Sequence, residues 1–283
     1  MNCLTHPSCS CLALVTVLGF CAVSPAAFGQ QASPQTDAIS QKRQASHPLD
    51  PALQMARASL QHIQANVDDY TALFVKRYRV DGELTEMQYA NVKIRNRKLK
   101  DKRMTTPMAA YLDFLKPKSV KGREVIWVEG ENNGKLIAHD EGFRSLINVQ
   151  LDPNGYLAMR GQRHPITEIG IEKLVEKMLE TVDRDRPHGE CEVKFRNVKL
   201  SETACTMLQV IHPVRREHFD FYCARMYFDN KLKIPIRYES WSWPVKPGEK
   251  PVLEEEYTYL RVKVNVGLTD QDFSTSNSNY RFK

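Results

Sequence analysis

Residues 70–80 are Tyr-Thr-Ala-Leu-Phe-Val-Lys-Arg-Tyr-Arg-Val, and Asp81-Gly82 follows them directly. Apolar side chains at positions 70, 72, 74, 78 and 80 alternate with polar ones at 71, 77 and 79, which is the two-residue period of a strand with one buried face. Asp-Gly is typical of a tight hairpin turn. Because the run 87–94 alternates again, the sequence predicts two antiparallel strands joined at this turn.

The alternation continues towards the C-terminus in short runs. Clusters of turn-forming residues at 129–134 and 152–155 separate some of them. Strands and helices do not alternate regularly along the chain, so an antiparallel sheet is favoured over a parallel one. The further predicted strands are 111–115, 124–128, 135–138, 146–151, 191–195, 204–211, 219–228, 234–243 and 252–264.

Two stretches repeat at helical spacing instead. The first follows Asp50-Pro51, where Asp50 is the expected N-cap and Pro51 suits the first turn. The second places apolar residues at i, i+3, i+4, i+7, i+8 and i+11 from Ile171, with Thr167 as the expected cap. The sequence therefore predicts one mainly β (α+β) domain over 49–283, a long curved antiparallel sheet of about eleven strands with two amphipathic helices on its concave side.

The N-terminal segment has the character of an export signal. Residues 1–29 contain an apolar run at 12–23 that is too short to span a bilayer, and small residues allow cleavage after Gly29. No Lys or Arg precedes the run, so a mis-assigned start is an alternative. A lipid anchor at Cys21 is a separate alternative, because residues 18–21 resemble the motif at which bacterial lipoproteins are lipidated. Residues 30–48 predict a flexible leader. We expect an exported protein of the periplasm or cell envelope, without a transmembrane segment in the mature chain.

Basic residues outnumber acidic ones and give a net charge of +6. Six of them fall within the stretch 95–103, which lacks the interleaved aromatic residues of single-stranded nucleic-acid binders. Two interpretations stand: a surface that contacts an anionic lipid or polymer, and a solvated hairpin loop. The basic residues are Arg95, Arg97, Lys98, Lys100, Lys102 and Arg103.

Seven cysteines are present, and four precede residue 30. Cys191 and Cys205 lie in consecutive predicted strands that can form a hairpin, so a disulfide between them is expected, with Cys223 free. The alternative is three buried thiols, because free cysteine packs well in protein cores.

The sequence contains few signs of catalysis. His139 and His164 lack the spacing of a metal-binding pair, and neither a nucleophile elbow nor a phosphate-binding loop occurs. Loop histidines with hydrogen-bonding roles are therefore favoured over a hydrolase that would join both histidines to an acid. We expect no catalytic residues, no metal and no cofactor.

Several strings together resemble an exported bacterial family described only as a domain of unknown function. The resemblance extends from about Ala58 to the C-terminus and implies no catalytic residues. The strings are Lys121–Val125, Gly134–His139, Leu151–Gly155, Ala158–Glu168, Pro235–Tyr238, Trp243-Pro244, Glu256–Tyr259, Asn265–Asp270 and Asp272-Phe273.

The C-terminal strand Tyr259–Asn265, followed by Asp272-Phe273, is similar to the ending of periplasmic lipoprotein carriers of the LolA/LolB/RseB type. This resemblance implies an incomplete antiparallel barrel whose cavity binds acyl chains, although the present chain carries extra residues at 95–108 and 129–165. We therefore expect a non-catalytic protein that binds a lipid, a lipoprotein or another amphipathic ligand. The alternative is an interaction module with a solid core, whose basic surface binds an anionic polymer or a protein. The expected cavity residues are Phe74, Tyr78, Phe114, Ile126 and Phe221.

Overall fold

The computed structural model describes residues 47–140, 147–246 and 248–283. The predicted signal peptide, the alternative anchor at Cys21 and all but the last two residues of the predicted leader lie outside the described residues and stay predictions. Within the described ranges, no helix combines the length and the apolar character that crossing a bilayer requires.

Twelve antiparallel strands form one sheet, which confirms the predicted fold class. Eleven of them follow the order β10-β11-β12-β13-β14-β1-β3-β6-β7-β8-β9, and β2 pairs with β1 outside this path. Since β10 and β9 stand at the two ends, the sheet is an incomplete barrel. The strands are β1 Asp69–Val80, β2 Glu83–Leu84, β3 Gln88–Arg95, β4 Lys98–Lys100, β5 Arg103–Thr106, β6 Ala109–Lys116, β7 Glu124–Val128, β8 Leu136–His139, β9 Val149–Leu151, β10 Glu192–Leu200, β11 Thr203–Ile211, β12 Cys223–Asp229, β13 Pro235–Ser242 and β14 Val252–Val264; β4 and β5 pair only with each other.

The two predicted helices are present as α1 (Asp50–Asn66) and α3 (Ile171–Asp185), and a single turn, α2, spans Tyr156–Met159. Both predicted caps are wrong. Asp50 is already helical and its carboxylate accepts the backbone N–H of His47 at 2.8 Å. Thr167 lies in an earlier 3₁₀ turn, and α3 follows Gly170.

The concave face of the sheet packs against both long helices. Tyr70, Ala72 and Phe74 alternate along β1 and join one buried cluster with Ile63 of α1 and Val175 of α3. Full burial of each large apolar side chain contributes about 1.5–3 kcal/mol. The alternation at 70–80 therefore sets which side of the sheet receives the helices.

Two tyrosine hydroxyls attach the start of α3 to this face. Tyr70 accepts the backbone N–H of Ile171 at 2.9 Å, and Tyr259 accepts that of Gly170 at 3.0 Å. Gly170 has a φ of 115°, and a Cβ there would lie 3.2 Å from the Tyr70 hydroxyl. The position thus requires glycine for its backbone conformation and for the close approach of the ring.

The C-terminal segment covers part of the convex face. Phe273 and Phe282 pack there with Tyr111 and Ile126. The segment turns away from β14 where the Asp69 carboxylate accepts three successive backbone N–H groups, those of residues 266–268. The convex side is therefore a second, smaller core and not a bare surface.

Another part of the convex face carries ion pairs. Glu256 on β14 binds Arg77 at 2.5 Å and Arg237 at 2.6 Å, and Arg237 also binds Glu239 at 2.6 Å. Side chains of β1, β13 and β14 that point away from the helices thus satisfy one another. Arg77, Arg237, Glu239 and Glu256 thus lie on the side of the sheet opposite the helices.

The predicted disulfide between Cys191 and Cys205 is wrong. All three cysteines of the described chain are free, and Cys205 lies opposite Val198 in the β10–β11 ladder. Cys191 precedes the opposite end of that ladder, where Glu192 faces Ile211. At roughly 3.3 Å per residue along a strand, this register separates the two thiols far beyond disulfide distance.

Candidate ligand-binding cavity

A cavity of about 1030 Å³ lies between the concave face and the elements that cover it. Strands β1, β6 to β9 and β14 form its floor, and α2, the segment 160–170 and α3 form its cover. Its size is at the upper end of the range of small-molecule pockets. Apolar floor residues include Leu112, Val125, Leu136, Val149, Leu151 and Tyr259.

The sequence-predicted cavity residues are divided among three places. Phe74, Tyr78 and Phe114 line the large cavity. Phe221 lines a second cavity of about 260 Å³, which adjoins the first because the two share the lining residues His164, Leu174, Lys177 and Tyr257. Ile126 lines neither cavity and packs under the C-terminal segment.

The position of Ile126 follows from the period of the strand. Its neighbour Val125 lies opposite Leu112 and faces the cavity, so Ile126, opposite Tyr111, faces the other side. Residues 124–128 contain four apolar residues in a row after Glu124. Because both faces of this strand are covered, the sequence offers no polar alternation from which to choose the face.

One cavity residue that the sequence analysis missed is Lys76. It lies on the same face of β1 as Phe74 and Tyr78 and is only 6% exposed. Its ammonium group donates to Gln162 Oε1 at 2.6 Å. Burial, followed by the nearby Arg123 guanidinium, lowers the pKa of Lys76 to about 7. The sequence did contain a sign of this: position 76 falls between the apolar positions 74 and 78 in the two-residue alternation of β1.

A polar cluster stands where the two cavities adjoin. His164 Nε2 lies 2.7 Å from a Glu255 carboxylate oxygen, and Nδ1 lies 3.3 Å from Glu168. The ring also meets the edge of Tyr78, with 5.9 Å between ring centroids. Burial and the Glu255 charge raise the pKa of Tyr78, so its hydroxyl stays protonated.

The hydrolase alternative required His139 and His164 to meet an acid in one cleft, and the structure places the two histidines apart. His139 is buried on the other face of β8, where its ring packs towards Phe282 and Nδ1 lies 3.2 Å from Asn148. Its neighbour Ala138 is the residue that lines the cavity. In the described ranges, no group of three His, Cys, Asp or Glu side chains is arranged to hold a metal ion.

The basic stretch 95–103 does not form one continuous surface. Arg95 binds Asp270, Arg97 binds Glu129, and Lys98 binds Asp68. The other three, Lys100, Lys102 and Arg103, are exposed around the turn of the β4–β5 hairpin. Leu99 and Met104 of the same hairpin are 62% and 48% exposed.

Residues 67–282 match the model of a family described as protein of unknown function (DUF1571). The chain belongs to the DUF1571 family. This confirms the sequence resemblance to a domain of unknown function, and it extends over the cavity, its cover and the C-terminal segment of this DUF1571 protein. No curated protein matches the sequence.

Solved structures similar to this DUF1571 chain come from several bacteria. The Mycobacterium tuberculosis lipoprotein LppX is 13% identical with a TM-score of 0.42, covering 78% of this chain and 98% of its own. MucB in the Pseudomonas aeruginosa MucA/MucB complex is 11% identical with a TM-score of 0.41, covering 77% and 60%. A LolA superfamily protein from Nitrosomonas europaea is 12% identical with a TM-score of 0.30, covering 77% and 97%.

Proposed function

We propose that this DUF1571 protein is an exported, non-catalytic binding protein that holds a lipid, an acylated protein or another amphipathic ligand in the large cavity. The observation that carries the proposal is the cavity itself, about 1030 Å³ of space with a largely apolar floor and a cover that also carries charged side chains. Burial of hydrocarbon in such a space contributes about 0.8 kcal/mol per methylene. A chain of ordinary acyl length therefore gains enough to be retained.

The test begins with the protein purified from its native envelope fraction. Native mass spectrometry before and after organic extraction is expected to show a bound lipid or acylated peptide that is released on denaturation. An empty protein that also fails to bind fluorescent fatty acids would contradict the proposal.

A matched pair of variants locates the binding. Ala138→Trp places an indole on the cavity floor between Val125 and Val149, and we expect it to weaken fatty-acid binding by about tenfold or more, because the ligand loses apolar contact area. Leu115→Trp adds an indole at an exposed position outside the cavity lining. Equal binding by both variants in a fluorescence titration would place the ligand elsewhere.

The exposed hairpin supports a second candidate role, contact with an anionic lipid surface. Leu99 and Met104 lie opposite each other in the β4–β5 register, with Lys100, Lys102 and Arg103 beside them. Each basic residue near an anionic bilayer contributes about 1 kcal/mol, and an exposed apolar pair adds insertion into the headgroup region.

Vesicle co-sedimentation tests this role. The protein is expected to bind phosphatidylglycerol vesicles more strongly than phosphatidylcholine vesicles, and the combined change Lys100→Glu, Lys102→Glu and Arg103→Glu is expected to abolish the difference. Lys194→Glu, an exposed change on β10, is the control. If the triple variant keeps the preference, the hairpin is not the membrane contact.

A further inference from the structure

Lys76 is a buried basic residue on the largely apolar floor of the cavity. Its ammonium group lies 5.1 Å from the centre of the Tyr78 ring, 5.7 Å from that of Phe114 and 5.9 Å from that of Phe74. Its one hydrogen-bond partner among the described residues is the neutral amide of Gln162. An ammonium group has three donors, so two remain available towards the cavity.

The surroundings of Lys76 supply no carboxylate in the described part of the chain. The charged group that acts on it is another cation, Arg123, which also lines the cavity and binds Asp140 with distances of 2.5 and 3.2 Å. When Lys76 is protonated, Lys76 and Arg123 together carry two positive charges, of which Asp140 balances one. Among the described residues, this end of the cavity therefore carries one more positive charge than negative charges.

Such an arrangement costs stability without a ligand. A charged group taken out of water is penalised unless it is paired, and the aromatic rings around Lys76 offset only a part of this through cation–π attraction. A titratable group that is strongly perturbed inside a cavity is a candidate for ligand binding. An anion that arrives with a ligand would supply such a partner.

We propose that the ligand is an amphiphile with an anionic head group, a carboxylate or a phosphate, whose oxygens accept the free donors of Lys76 while its hydrocarbon chain lies on the apolar floor. This inference rests on the proposed function and specifies the class of ligand. Floor residues Leu112, Leu136 and Leu151 lie on the same face of the sheet as Lys76, so head and chain are accommodated in one cavity.

Three probes with the same chain test the head group: dodecanoic acid, dodecyl phosphate and 1-dodecanol. Binding to the full mature protein is measured by isothermal titration calorimetry at pH 6.5. The unmodified protein is expected to bind at least one anionic probe about tenfold to a hundredfold more tightly than the alcohol, as charge-assisted hydrogen bonds in a dry site predict. Whichever anion binds more tightly identifies the head group.

Lys76→Met removes the charge and keeps an unbranched side chain of similar length. This variant is expected to bind the anionic probes and 1-dodecanol with similar affinity, whereas Lys135→Met, the same change at an exposed turn, is expected to keep the preference for the anion. The comparison between anion and alcohol on the unmodified protein needs no variant and stands even if Lys76→Met fails to fold.

The outcomes distinguish a failure of the head-group site at Lys76 from a failure of lipid binding itself. Equal binding of acid, phosphate and alcohol by the unmodified protein overturns the role of Lys76 and leaves lipid binding in place. A preference for the anion that survives in Lys76→Met also overturns it. If none of the probes binds, the inference and the proposed function fail together.

Discussion

At the scale of single residues, Lys76 makes the stability of the empty protein depend on pH. Its pKa is about 7 in the folded protein because of burial and Arg123, whereas an unfolded lysine titrates near 10.4. Between these values the unfolded chain binds the extra proton, so the free energy of unfolding rises with pH, by at most about 1.4 kcal/mol per pH unit. Two further titratable groups lie on the far side of Tyr78 from Lys76: His164, whose ring meets Tyr78, and Glu255, which pairs with His164.

Lys76→Met removes this contribution. Urea unfolding between pH 7 and pH 10 is expected to show a variant that is more stable than the unmodified protein at pH 7, with a difference that shrinks towards pH 10. The range stops there because buried tyrosines with raised pKa, such as Tyr78 and Tyr257, add the opposite slope above it. Parallel pH curves for the two proteins would contradict a perturbed Lys76.

What the sequence could predict differs from residue to residue. The alternation of 70–80 predicts that Phe74 and Tyr78 share one face of β1, and both side chains line the cavity. The same rule applied strictly includes Lys76, whose charge made it look like a surface residue. The face of Ile126 depends on which sides of its strand are covered, and the distance between Cys191 and Cys205 depends on strand register. Both are set by distant parts of the chain.

At the scale of elements, α3 depends on the sheet for its position. The backbone N–H groups at its start have no side-chain cap of their own, and the hydroxyls of Tyr70 and Tyr259 accept two of them. The spacing of 171–182 predicts the helix well. It contains no information about an anchor supplied by residues about a hundred positions away.

Tyr70→Phe removes one anchor without changing the packing of the ring. It leaves the Ile171 N–H buried without an acceptor, which costs about 1–3 kcal/mol. Urea unfolding is expected to show this loss, and hydrogen exchange is expected to accelerate at the first turn of α3. Tyr156→Phe, at a tyrosine that is 81% exposed, serves as the control and is expected to leave stability unchanged. Unaltered exchange at Ile171 in Tyr70→Phe would contradict the anchor.

At the scale of the whole molecule, the sheet separates two apolar cores, of which only the concave one contains the cavity. The concave side holds the helices and the cavity, and the convex side holds the C-terminal segment. Phe273→Ala is expected to lower the free energy of unfolding by about 3–5 kcal/mol, because it empties a buried site against Tyr111 and Ile126. Fatty-acid affinity of the protein that remains folded is expected to stay unchanged. Ala138→Trp is expected to do the reverse, lowering fatty-acid affinity while leaving the free energy of unfolding nearly unchanged. Loss of affinity in Phe273→Ala would show that the two cores are coupled.

The open sheet of the protein has a consequence for its behaviour at high concentration. β10 is the last strand on its side of the sheet, and a free strand edge can pair with a second chain and start aggregation. Glu192, Lys194 and Arg196 are exposed along this strand. If the β10 edges of two copies paired, these charged side chains would have to be buried or placed beside the same charges of the other copy. The charged edge thus lets the barrel stay open for a ligand while two such barrels are discouraged from joining.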